Sequence, residues 1–574
     1  MAGYLSDGVL LYLDQLVDWD TFFRWRKGED CDVATERETL RVVLDTAAEV
    51  CSSIEGDARQ GWELVAELHD GKVTVPPHIA AGYQKLKDTG LVSWAVAEEY
   101  GGADLPQFIT SIILQMVSRA DAGLMTIVGL QAGVAEDIQK YGSQALKDEW
   151  LPRFASGEVQ GAMDLTEPEA GSDLGSITTR ATEDARGIRL DGQKIFITNG
   201  GCEVHLVLAR DNDTYEASKG TTRGLSLFLC PRNRADGAEN GVTVERLEHK
   251  LGIHGSPTAA IRFEGAEAFR IGDKGGGFRA MLDLMNNARL GVAAQGIGIA
   301  EAALTEAVQY ARERVQFGVP IADQPLMKNI LARMTLALEG SRALLYRCCA
   351  LVDRNRAIEA RLAAADVSEA ERAELEPMRE RNEVRIRLLT PLAKYLATES
   401  CDRISRQAIQ VHGGLGFMAE STVGKLHADA IITTIYEGTS EIQVSFALKE
   451  IGKGALVVVF EECRRELDEM NRDPFDDLAS KVRAGIEQIL QASGALVQDV
   501  AYALLSSKLL ADAVINVIVG TELLKQARVD ERRVDLAASW INRTMLEVEI
   551  GCRRIAEGTA ARIDRAERII ALND

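Results

Sequence analysis

The stretch Leu165-Thr-Glu-Pro-Glu-Ala-Gly-Ser-Asp173 lies where the spacing of apolar residues changes from a helical to a strand pattern. It follows a predicted strand and is dense in small, hydroxyl and glycine residues. A loop of this composition can place backbone N–H groups and Thr or Ser hydroxyls against a planar, hydrogen-bonding ligand. An ordinary acidic turn is the alternative, because the same residue types are common in turns. The stretch therefore predicts a loop and leaves open whether that loop binds a ligand.

Strand signals continue after this loop to about residue 280. The segment Gly187–Thr198 contains an Asp191-Gly192 pair between two β-prone runs, which predicts a hairpin turn. Further strands are predicted at 204–209, 225–229 and 259–263. Together these segments predict a β-domain, either a small barrel or a sandwich.

The segment Phe196-Ile-Thr-Asn-Gly200 ends the predicted hairpin. On a regular strand, Phe196 and Thr198 lie on the same face, so both side chains can contact one partner. Core packing is the alternative for this pair, and the segment alone does not decide between the two.

Helical periodicity dominates the rest of the chain, before the β-domain and after it. The charged stretch 353–383 contains the capping-box pattern Ser368-Glu-Ala-Glu371, which predicts an exposed helical hairpin inserted between core helices. The chain is therefore predicted to be an α+β multidomain protein. Its predicted parts are an N-terminal extension (1–35), a helical domain (36–158), a middle β-domain (159–280), a helical bundle (281–452) and an additional helical domain (453–574).

Composition and charge argue against several classes of protein. A net charge of −22 repels phosphate backbones, so nucleic acid is not an expected partner. The nine cysteines include no CxxC pair and no zinc-binding spacing, so no metal site is expected. The first twenty residues contain four aspartates and no Lys or Arg, unlike a signal or transit peptide, and no apolar run reaches the length of a membrane span. A cytoplasmic protein without a transmembrane segment is predicted.

Two segments of the predicted bundle combine glycine with polar residues. Arg314-Val-Gln-Phe-Gly318 interrupts a helix; its guanidinium could pair with a phosphate, and Gly318 fits a helix C-cap. Gln410-Val-His-Gly-Gly-Leu-Gly-Phe417 has three glycines within four residues, which permits close approach of a ligand to the backbone. Its His412 is predicted to be a packed loop residue rather than a catalyst.

The segment Tyr436-Glu-Gly-Thr-Ser-Glu-Ile-Gln443 carries the strongest catalytic signal. Ser440 and Gln443 have capping-box spacing, which predicts that Glu437 lies just before a helix N-terminus. Acidic residues favour that position without any catalytic role. An apolar run from Ile431 to Tyr436 leads into Glu437, however, and apolar surroundings desolvate a carboxylate and make it a stronger base.

In this order and at these intervals, the five segments resemble the acyl-CoA dehydrogenase family. The stretches at 165–173 and 436–440 are each fairly specific for it. The resemblance covers about residues 60–452 and implies the acyl-CoA dehydrogenase fold, with an additional C-terminal helical domain. The segment 4–26 and the region after 455 resemble a longer bacterial subfamily, which includes 3-methylthiopropionyl-CoA dehydrogenases and broad-range fatty acyl-CoA dehydrogenases.

The resemblance implies an enzyme of lipid metabolism that uses FAD to convert an acyl-CoA thioester into the trans-2-enoyl-CoA in fatty acid β-oxidation. Glu437 would remove the α-proton while the β-hydride passes to flavin N5. Electrons would then pass to electron-transfer flavoprotein. Large helical domains that share an FAD site imply a homo-oligomer, either a dimer or a tetramer. The additional C-terminal region would replace part of the contact between dimers, so a homodimer is the expected state.

Site residues carry over from the family where the motifs match. The implied FAD contacts are Met163, Leu165, Thr166, Ser172, Phe196, Thr198, Arg314, Phe317, Gln410, Gly414 and Thr439. The implied substrate contacts are Ser172, Asn286, Arg289, Tyr436 and Gly438. No metal ligand is implied.

Several positions depart from the family pattern. Met163 and Phe196 replace a Tyr and a Trp that are common beside the flavin, and Asn286 replaces an Asp that often lies three residues before the arginine. Some relatives place their base one residue before that arginine, where this chain has Ala288. The resemblance therefore leaves Glu437 as the candidate base.

Two alternative functions are compatible with these motifs. An acyl-CoA oxidase on the same fold would have nearly the same site, because oxidase and dehydrogenase differ in oxygen access. A non-catalytic relative in complex assembly or at a membrane surface is the second, since 500–518 is apolar over much of its length. The intact Glu437 argues against that second alternative, and the acyl chain length is not determined by the sequence.

Overall fold

The computed structural model describes residues 3–470, 475–496 and 499–573, except for the side chains of 283, 284, 286 and 287. The chain forms two compact units. The bundle unit contains Met1–Arg41, Leu304–Gly413 and Thr434–Asp574, and the sheet unit contains Val42–Ala303 and Gly414–Thr433. The division into five parts, at residues 35, 158, 280 and 452, stays a prediction.

Helices make up most of the described residues, in agreement with the Ala-, Leu-, Glu- and Arg-rich composition. In chain order the α-helices are α1 (Asp7–Leu11), α2 (Trp19–Lys27), α3 (Val33–Gly61), α4 (Pro77–Asp88), α5 (Gln107–Ala120), α6 (Ala122–Tyr141), α7 (Gln144–Ala155), α8 (Tyr215–Ser218), α9 (Gly277–Glu313), α10 (Pro325–Ala363), α11 (Glu369–His412), α12 (Thr422–Thr433), α13 (Ser440–Gly452), α14 (Ala455–Asp468), α15 (Asp476–Ser493), α16 (Val500–Val529), α17 (Val534–Ala556) and α18 (Ala561–Ile570). A π-helical turn, Tyr12–Leu16, follows α1.

The strands form one seven-stranded sheet and two small hairpins. In chain order they are β1 (Glu67–His69), β2 (Lys72–Thr74), β3 (Gly161–Asp164), β4 (Arg180–Asp184), β5 (Gly187–Thr198), β6 (Val204–Asp211), β7 (Leu225–Pro231), β8 (Val242–Leu247), β9 (Thr258–Ile271), β10 (Val315–Gln316) and β11 (Val319–Pro320). Strands β1 and β2 form one hairpin, and β10 and β11 form the other.

The large sheet closes on itself. Strand β6 pairs with β4 and β7, β4 pairs with β5, and both β5 and β7 pair with β9. This ring of five strands is a small barrel, the first of the two predicted alternatives, and β3 and β8 extend it along β6 and β9. Every residue of β6 is buried because successive side chains enter different apolar clusters: Leu206 packs with helical residues and Val207 packs with other strand residues.

The predicted hairpin turn at Asp191-Gly192 is wrong. Strand β5 runs unbroken from Gly187 to Thr198, and the turn before it joins it to β4. Strand β9 pairs along β5 on both sides of the Asp-Gly pair, with a register shift at Leu190/Asp191, so the pair forms an irregularity within the strand. Gly192 is required by close packing instead, because a Cβ there would lie 2.4 Å from Thr179 Oγ1.

In the bundle unit, the two longest helices, α10 and α11, pack against each other. The predicted capping box at the start of α11 is confirmed: Ser368 Oγ accepts a hydrogen bond from the Glu371 N–H, and the Glu371 carboxylate accepts one from the Ser368 N–H. Because α10 ends at Ala363 and α11 begins at Glu369, the charged stretch 353–383 consists of the last turns of α10, a short loop and the first turns of α11. It is a helical hairpin, as predicted, but not a separate insertion.

Helices α14 to α18 form the additional C-terminal helical region, and the prediction of that region is confirmed. Within the described ranges, α16 is the one helix that is long and apolar enough to cross a membrane. Of its most apolar window, 67% is buried inside the protein. Burial of this kind is typical of a core helix.

Candidate active site

In the sheet unit, the loop that begins at Leu165 is fixed by a buried ion pair between Lys194 and Glu167. The side chain of Lys194 on β5 is fully buried, and its Nζ lies 2.9 Å from Glu167 Oε1 and donates to the Leu165 carbonyl at 2.9 Å. The Ile195 N–H donates to the carbonyl of Thr166. The backbone of Leu165 and Thr166 is therefore held against β5, while their half-buried side chains are left for other contacts.

Glu167 is the centre of this arrangement. Its carboxylate also accepts hydrogen bonds from the Thr178 N–H and Oγ1 and from the Thr179 N–H. Burial raises the pKa of Glu167, but Lys194 and the threonine hydrogen bonds outweigh burial and lower it to about 2. The carboxylate is therefore ionised at neutral pH and ties the 165–173 loop to the start of β4.

Replacing Lys194 by methionine should reduce the free energy of unfolding by about 3–5 kcal/mol, because it leaves the Glu167 charge buried without its cation. Chemical denaturation measures the loss. Lys274→Met removes an exposed ion pair of the same unit, with Asp213 at 2.7 Å, and should leave the free energy of unfolding nearly unchanged because solvent screens the pair. Equal losses in the two variants would contradict the assigned importance of Lys194.

The same pair predicts a dependence on acid. The folded-state pKa of Glu167 is about 2, below its ordinary value of 4.5, so the stability it contributes is complete above pH 4.5 and is lost as the pH falls towards 2. In Glu167→Gln the free energy of unfolding should fall less steeply across this range. Denaturation curves at several acidic pH values measure the slope, and unchanged slopes would contradict the assignment.

Phe196 lies at an irregularity in the pairing of β5 with β9, and its side chain is exposed. Its φ is +58°, and the pairing of β5 with β9 shifts register between Lys194 and Ile197. Bulges of this kind redirect side chains next to functional sites. The regular alternation expected for Phe196 and Thr198 is therefore broken at Phe196, which is 60% exposed, whereas Thr198 pairs with Thr258 and is half-buried.

Helix α9 brings further predicted residues to the same region of the sheet unit. Met285 and Ala288 pack on the apolar cluster that contains Met163 and Leu165, so the flavin-loop candidates and this face of α9 are neighbours. Arg289, the next residue on α9, is buried. Ser172 is exposed in the 165–173 loop. The side chain of Asn286 lies outside the described residues, so its predicted substrate contact stays a prediction.

In the bundle unit, the segment after α9 is a hairpin and not a helix cap. Helix α9 ends at Glu313, and β10 and β11 are joined by the two-residue loop Phe317-Gly318. Both residues have positive φ, +54° and +82°, as in the tight loops that suit the twist of a hairpin. The prediction of Gly318 as a helix C-cap is therefore wrong, because the helix has already ended. Phe317 is 95% exposed, and Arg314 is exposed.

The glycine-rich segment after α11 has the predicted backbone character. Gly413 follows the last residue of α11 with a φ of +61°, and Gln410 is exposed on the last turn of that helix. His412 stacks on Tyr310 with ring centroids 4.3 Å apart, in agreement with its prediction as a packed residue. Gly414 belongs to the sheet unit and has open space where a Cβ would be.

Glu437 lies in a tight loop between α12 and α13. Its φ is +55°, a left-handed conformation that costs a residue with a side chain roughly 1–2 kcal/mol. Gly438 follows with a φ of +97°, and Thr439 is the N-cap residue of α13. Tyr436, Glu437, Gly438 and Thr439 are all half-buried. The loop therefore presents four consecutive candidate residues on a strained backbone.

The predicted capping box of α13 is wrong. Gln443 Nε2 donates to the carbonyl oxygens of Glu437 and Gly438, at 2.8 and 2.9 Å, and does not cap Ser440. Ser440 Oγ donates to Glu399 Oε1 of α11 at 2.6 Å. The positive φ values of Glu437 and Gly438 turn their carbonyls towards Gln443. The Gln443 side chain therefore holds the loop before α13 instead of capping the helix.

Three of the candidate residues, in two different units, have a strained backbone. Among the described residues, seven non-glycine residues have positive φ, and three of them are Phe196, Phe317 and Glu437. Such conformations persist only where the surroundings enforce them, and they occur preferentially at functional sites. The sequence motifs do not reveal this property, and they do not reveal the role of Lys194 or of Lys394, which donates to the Gly438 carbonyl at 2.8 Å.

Three family models match this chain. They are the N-terminal domain of acyl-CoA dehydrogenase at residues 57–158, its middle domain at 162–266, and its C-terminal domain at 275–376 and 375–452. The chain is 36% identical over 402 residues to 3-methylmercaptopropionyl-CoA dehydrogenase of Ruegeria pomeroyi, which is 66% of this chain and 65% of that protein. It is 34% identical to an acyl-CoA dehydrogenase of Bacillus subtilis, over 63% of this chain and 86% of that protein.

Two solved structures resemble nearly the whole chain, including the region after residue 452 where the family models end. An acyl-CoA dehydrogenase of Bacillus anthracis complexed with FAD covers 95% of this chain and 92% of its own, with a TM-score of 0.73 and 24% identity. Caenorhabditis elegans ACDH-11 in complex with C11-CoA covers 100% of this chain and 96% of its own, with a TM-score of 0.76 and 22% identity. The additional C-terminal helices are thus part of a known form of this fold.

This chain belongs to the acyl-CoA dehydrogenase family, a class of FAD-dependent oxidoreductases. The predictions of the family, the fold, the enzyme class and the FAD cofactor are confirmed. The individual roles assigned to the site residues stay predictions.

Proposed function

We propose that Glu437 is the base that removes the α-proton of an acyl-CoA thioester, which becomes the trans-2-enoyl-CoA. The observation that carries this proposal is the conformation of Glu437: a carboxylate on a left-handed backbone, in a loop whose carbonyls are bound by buried donors. Such strain is retained when it places a side chain that the reaction needs. A positioned carboxylate can take a proton from a carbon held within hydrogen-bonding reach.

Removal of the α-proton places negative charge on the thioester oxygen, and that charge has to be stabilised. We propose that the backbone N–H of Glu437 donates to this oxygen. Donors fixed before the reaction stabilise developing charge without reorganisation, so a rigid loop serves both the carboxylate and the N–H. Arg289 on α9 is proposed to support the substrate and its CoA arm, together with Ser172, Asn286, Tyr436 and Gly438.

The residues of the sheet unit fit a flavin. The 165–173 loop has its backbone fixed by Lys194 and its Leu165 and Thr166 side chains half-buried, and Phe196 beside it is an exposed aromatic on a strained backbone. We propose that these residues, with Met163, Ser172 and Thr198, hold the flavin ring. When bound, FAD supplies the acceptor for the hydride that leaves the β-carbon.

Further residues, all in the bundle unit except Gly414, are proposed to contact FAD as well. Arg314 is exposed beside the β10–β11 hairpin, and Phe317, which is 95% exposed, lies in the strained loop of that hairpin, so both side chains are accessible to a ligand. We propose that Arg314, Phe317, Gln410 and Gly414 reach the FAD of a neighbouring subunit in a homodimer, and that Thr439 contacts FAD beside the base.

The proposed electron acceptor is electron-transfer flavoprotein, and the proposed substrates are fatty acyl-CoA and 3-methylthiopropionyl-CoA. The likeness to 3-methylmercaptopropionyl-CoA dehydrogenase supports including the sulfur-containing thioester. Anaerobic bleaching of the bound flavin by a panel of acyl-CoA thioesters, from short to long chains, tests the activity. Bleaching of the flavin is expected, and electron-transfer flavoprotein should then reoxidise the reduced flavin. When air is admitted instead, the reduced enzyme should consume oxygen only slowly. No bleaching by any thioester would contradict the proposal, and rapid oxygen consumption would favour an oxidase.

A further inference from the structure

We infer that Lys394 and Gln443 are positioning residues that hold Glu437 in the conformation needed for proton removal. This inference rests on the proposed function of Glu437 as the base. Both side chains are fully buried in the bundle unit, Lys394 on α11 and Gln443 on α13, and both donate to backbone carbonyls of the loop. Neither belongs to the set of predicted site residues.

Gln443 binds two successive carbonyls. Its Nε2 lies 2.8 Å from the carbonyl oxygen of Glu437 and 2.9 Å from that of Gly438. Because only the NH2 end of an amide can donate, the opposite orientation would place three oxygens together, so the two contacts fix how the side chain is oriented. One amide group therefore restrains the two peptide planes on either side of Gly438, the first of which joins it to Glu437.

Lys394 adds a charged donor to the same loop. Its Nζ donates to the Gly438 carbonyl at 2.8 Å, and hydrogen bonds from charged groups are stronger than neutral ones. Gly438 is matched to this arrangement in two ways. Its φ of +97° disfavours a side chain, and a Cβ there would lie 2.7 Å from Gln443 Nε2. The glycine, the amide and the ammonium group together define one loop conformation.

The two helices that carry the donors are joined beside the loop. Ser440 Oγ, at the first position of α13, donates to Glu399 on α11. Tyr395, the residue after Lys394, donates to Asp512 of α16 at 3.0 Å and not to the loop. The restraint on the loop therefore comes from Lys394 and Gln443 and not from the hydrogen bond of Tyr395.

The consequence is a base whose backbone cannot relax. Without the donors, the strained backbone of Glu437 would move towards a right-handed or extended conformation, and its carboxylate would move with it. Misplacement of a reacting group by about 1 Å can reduce a rate roughly 10²-fold. Lys394 and Gln443 act through Glu437 and do not touch the reacting atoms, so their loss should lower kcat with little change in KM.

The test compares Gln443→Met and Lys394→Met with Tyr395→Phe in the FAD-loaded enzyme. Methionine keeps most of the side-chain volume and removes the donor. Both methionine variants should reduce the rate constant of flavin reduction by roughly 10- to 100-fold, with FAD content retained. Tyr395→Phe removes a hydrogen bond of similar length from the next residue of α11 and should leave the rate unchanged. Lys394→Arg keeps a cationic donor and should recover part of the lost rate.

A second measurement separates positioning from loss of structure. Deuterium at Cα should slow flavin reduction more strongly in Gln443→Met than in the wild type, because a misplaced base makes proton removal more difficult. A variant that is only less stable would show a lower thermal midpoint and an unchanged isotope effect. A wild-type rate and isotope effect in Gln443→Met would overturn the inference. If Glu437→Gln also reduced flavin normally, the proposed function would fail instead.

Discussion

Replacement of Glu437 by glutamine is expected to slow flavin reduction by an acyl-CoA roughly 10²- to 10⁴-fold, the usual contribution of a general base. A 10³-fold loss corresponds to about 4 kcal/mol of transition-state stabilisation. Glutamine has the shape of glutamate but cannot accept a proton at neutral pH. Because Lys394 and Gln443 bind backbone carbonyls and not the Glu437 carboxylate, the loop should keep its conformation in this variant. Stopped-flow measurement of flavin bleaching gives the rate constant.

Glu441 provides the matched control for Glu437→Gln. It lies four residues later, on the first turn of α13, and its side chain is exposed, 4.0 Å from Lys508. Glu441→Gln should bind FAD and reduce it at the wild-type rate, because an exposed pair of this kind contributes little. A similar loss of rate in both variants would mean that the effect comes from the charge of the region and not from a base at Glu437.

Replacement of Arg347 by methionine should reduce the free energy of unfolding by about 3–5 kcal/mol, as much as the loss expected for Lys194→Met. Arg347 on α10 is nearly buried and donates from Nη1 to Glu466 of α14 and to Glu522 of α16, at 2.8 and 2.9 Å. Lys525 lies 3.1 and 3.2 Å from the same two carboxylates. Two anions balance two cations here, so removing one cation leaves an uncompensated buried charge. Chemical denaturation gives the change in the free energy of unfolding.

This network also attaches the N-terminal segment. Tyr12 donates to Glu522 Oε1 at 3.0 Å and accepts from Gln526 at 3.0 Å. Burial, and then the Glu522 charge, raise the pKa of Tyr12 well above its ordinary value, so the phenol stays a donor. The predicted N-terminal extension is therefore anchored by the helices of the C-terminal region, although more than 500 residues separate them in the sequence.

The free energy of unfolding should also depend on pH through the network around Arg347, and Arg543→Met provides a control. Burial raises the pKa of Glu466, but Arg347 and Lys525 outweigh burial and lower it to about 2, below the ordinary 4.5. The stability that this group contributes is therefore present above pH 4.5 and lost as the pH falls towards 2, and the loss should be smaller in Arg347→Met. Arg543→Met removes an exposed pair with Glu547 and should cost about 0–1 kcal/mol. Comparable losses for Arg347 and Arg543 would contradict the network.

Local patterns in the sequence were sufficient to predict most of the helices and strands. The three helical regions, the strands at 204–209 and 225–229, and the capping box at Ser368 depend on periodicity and on contacts three residues apart. The Asp191-Gly192 turn failed for the opposite reason. Whether an Asp-Gly pair reverses the chain depends on the neighbouring strand, and here β9, distant in the sequence, pairs on both sides of it.

The candidate site divides in the same way. The motifs named the residues expected to contact FAD and substrate, because those residues form short contiguous stretches. They did not reveal Lys194 and Lys394, two fully buried lysines that hold the Leu165 and Gly438 carbonyls. Each lies in an otherwise apolar or strand-like context, and a lysine in such a context is ordinarily exposed. Its role depends on a partner 29 or 44 residues away, which no local spacing indicates.

Ser440 and Gln443 show how a correct spacing can be misinterpreted. The pair has the separation of a capping box, but the left-handed φ of Glu437 and Gly438 turns two carbonyls towards the Gln443 amide. The side chain therefore binds the loop before the helix instead of the helix terminus. The sequence carries no sign of the positive φ at Glu437, because glutamate rarely adopts it.

Exchange of the Cα proton tests the central claim most directly. The FAD-loaded wild type and Glu437→Gln would be incubated anaerobically with one acyl-CoA in D2O. Mass spectrometry would then measure the deuterium content of the recovered thioester. The wild type is expected to incorporate deuterium at Cα as proton removal reverses, and Glu437→Gln with the same FAD content is expected to incorporate none above the enzyme-free control. Incorporation by Glu437→Gln at the wild-type rate would show that another group removes the proton.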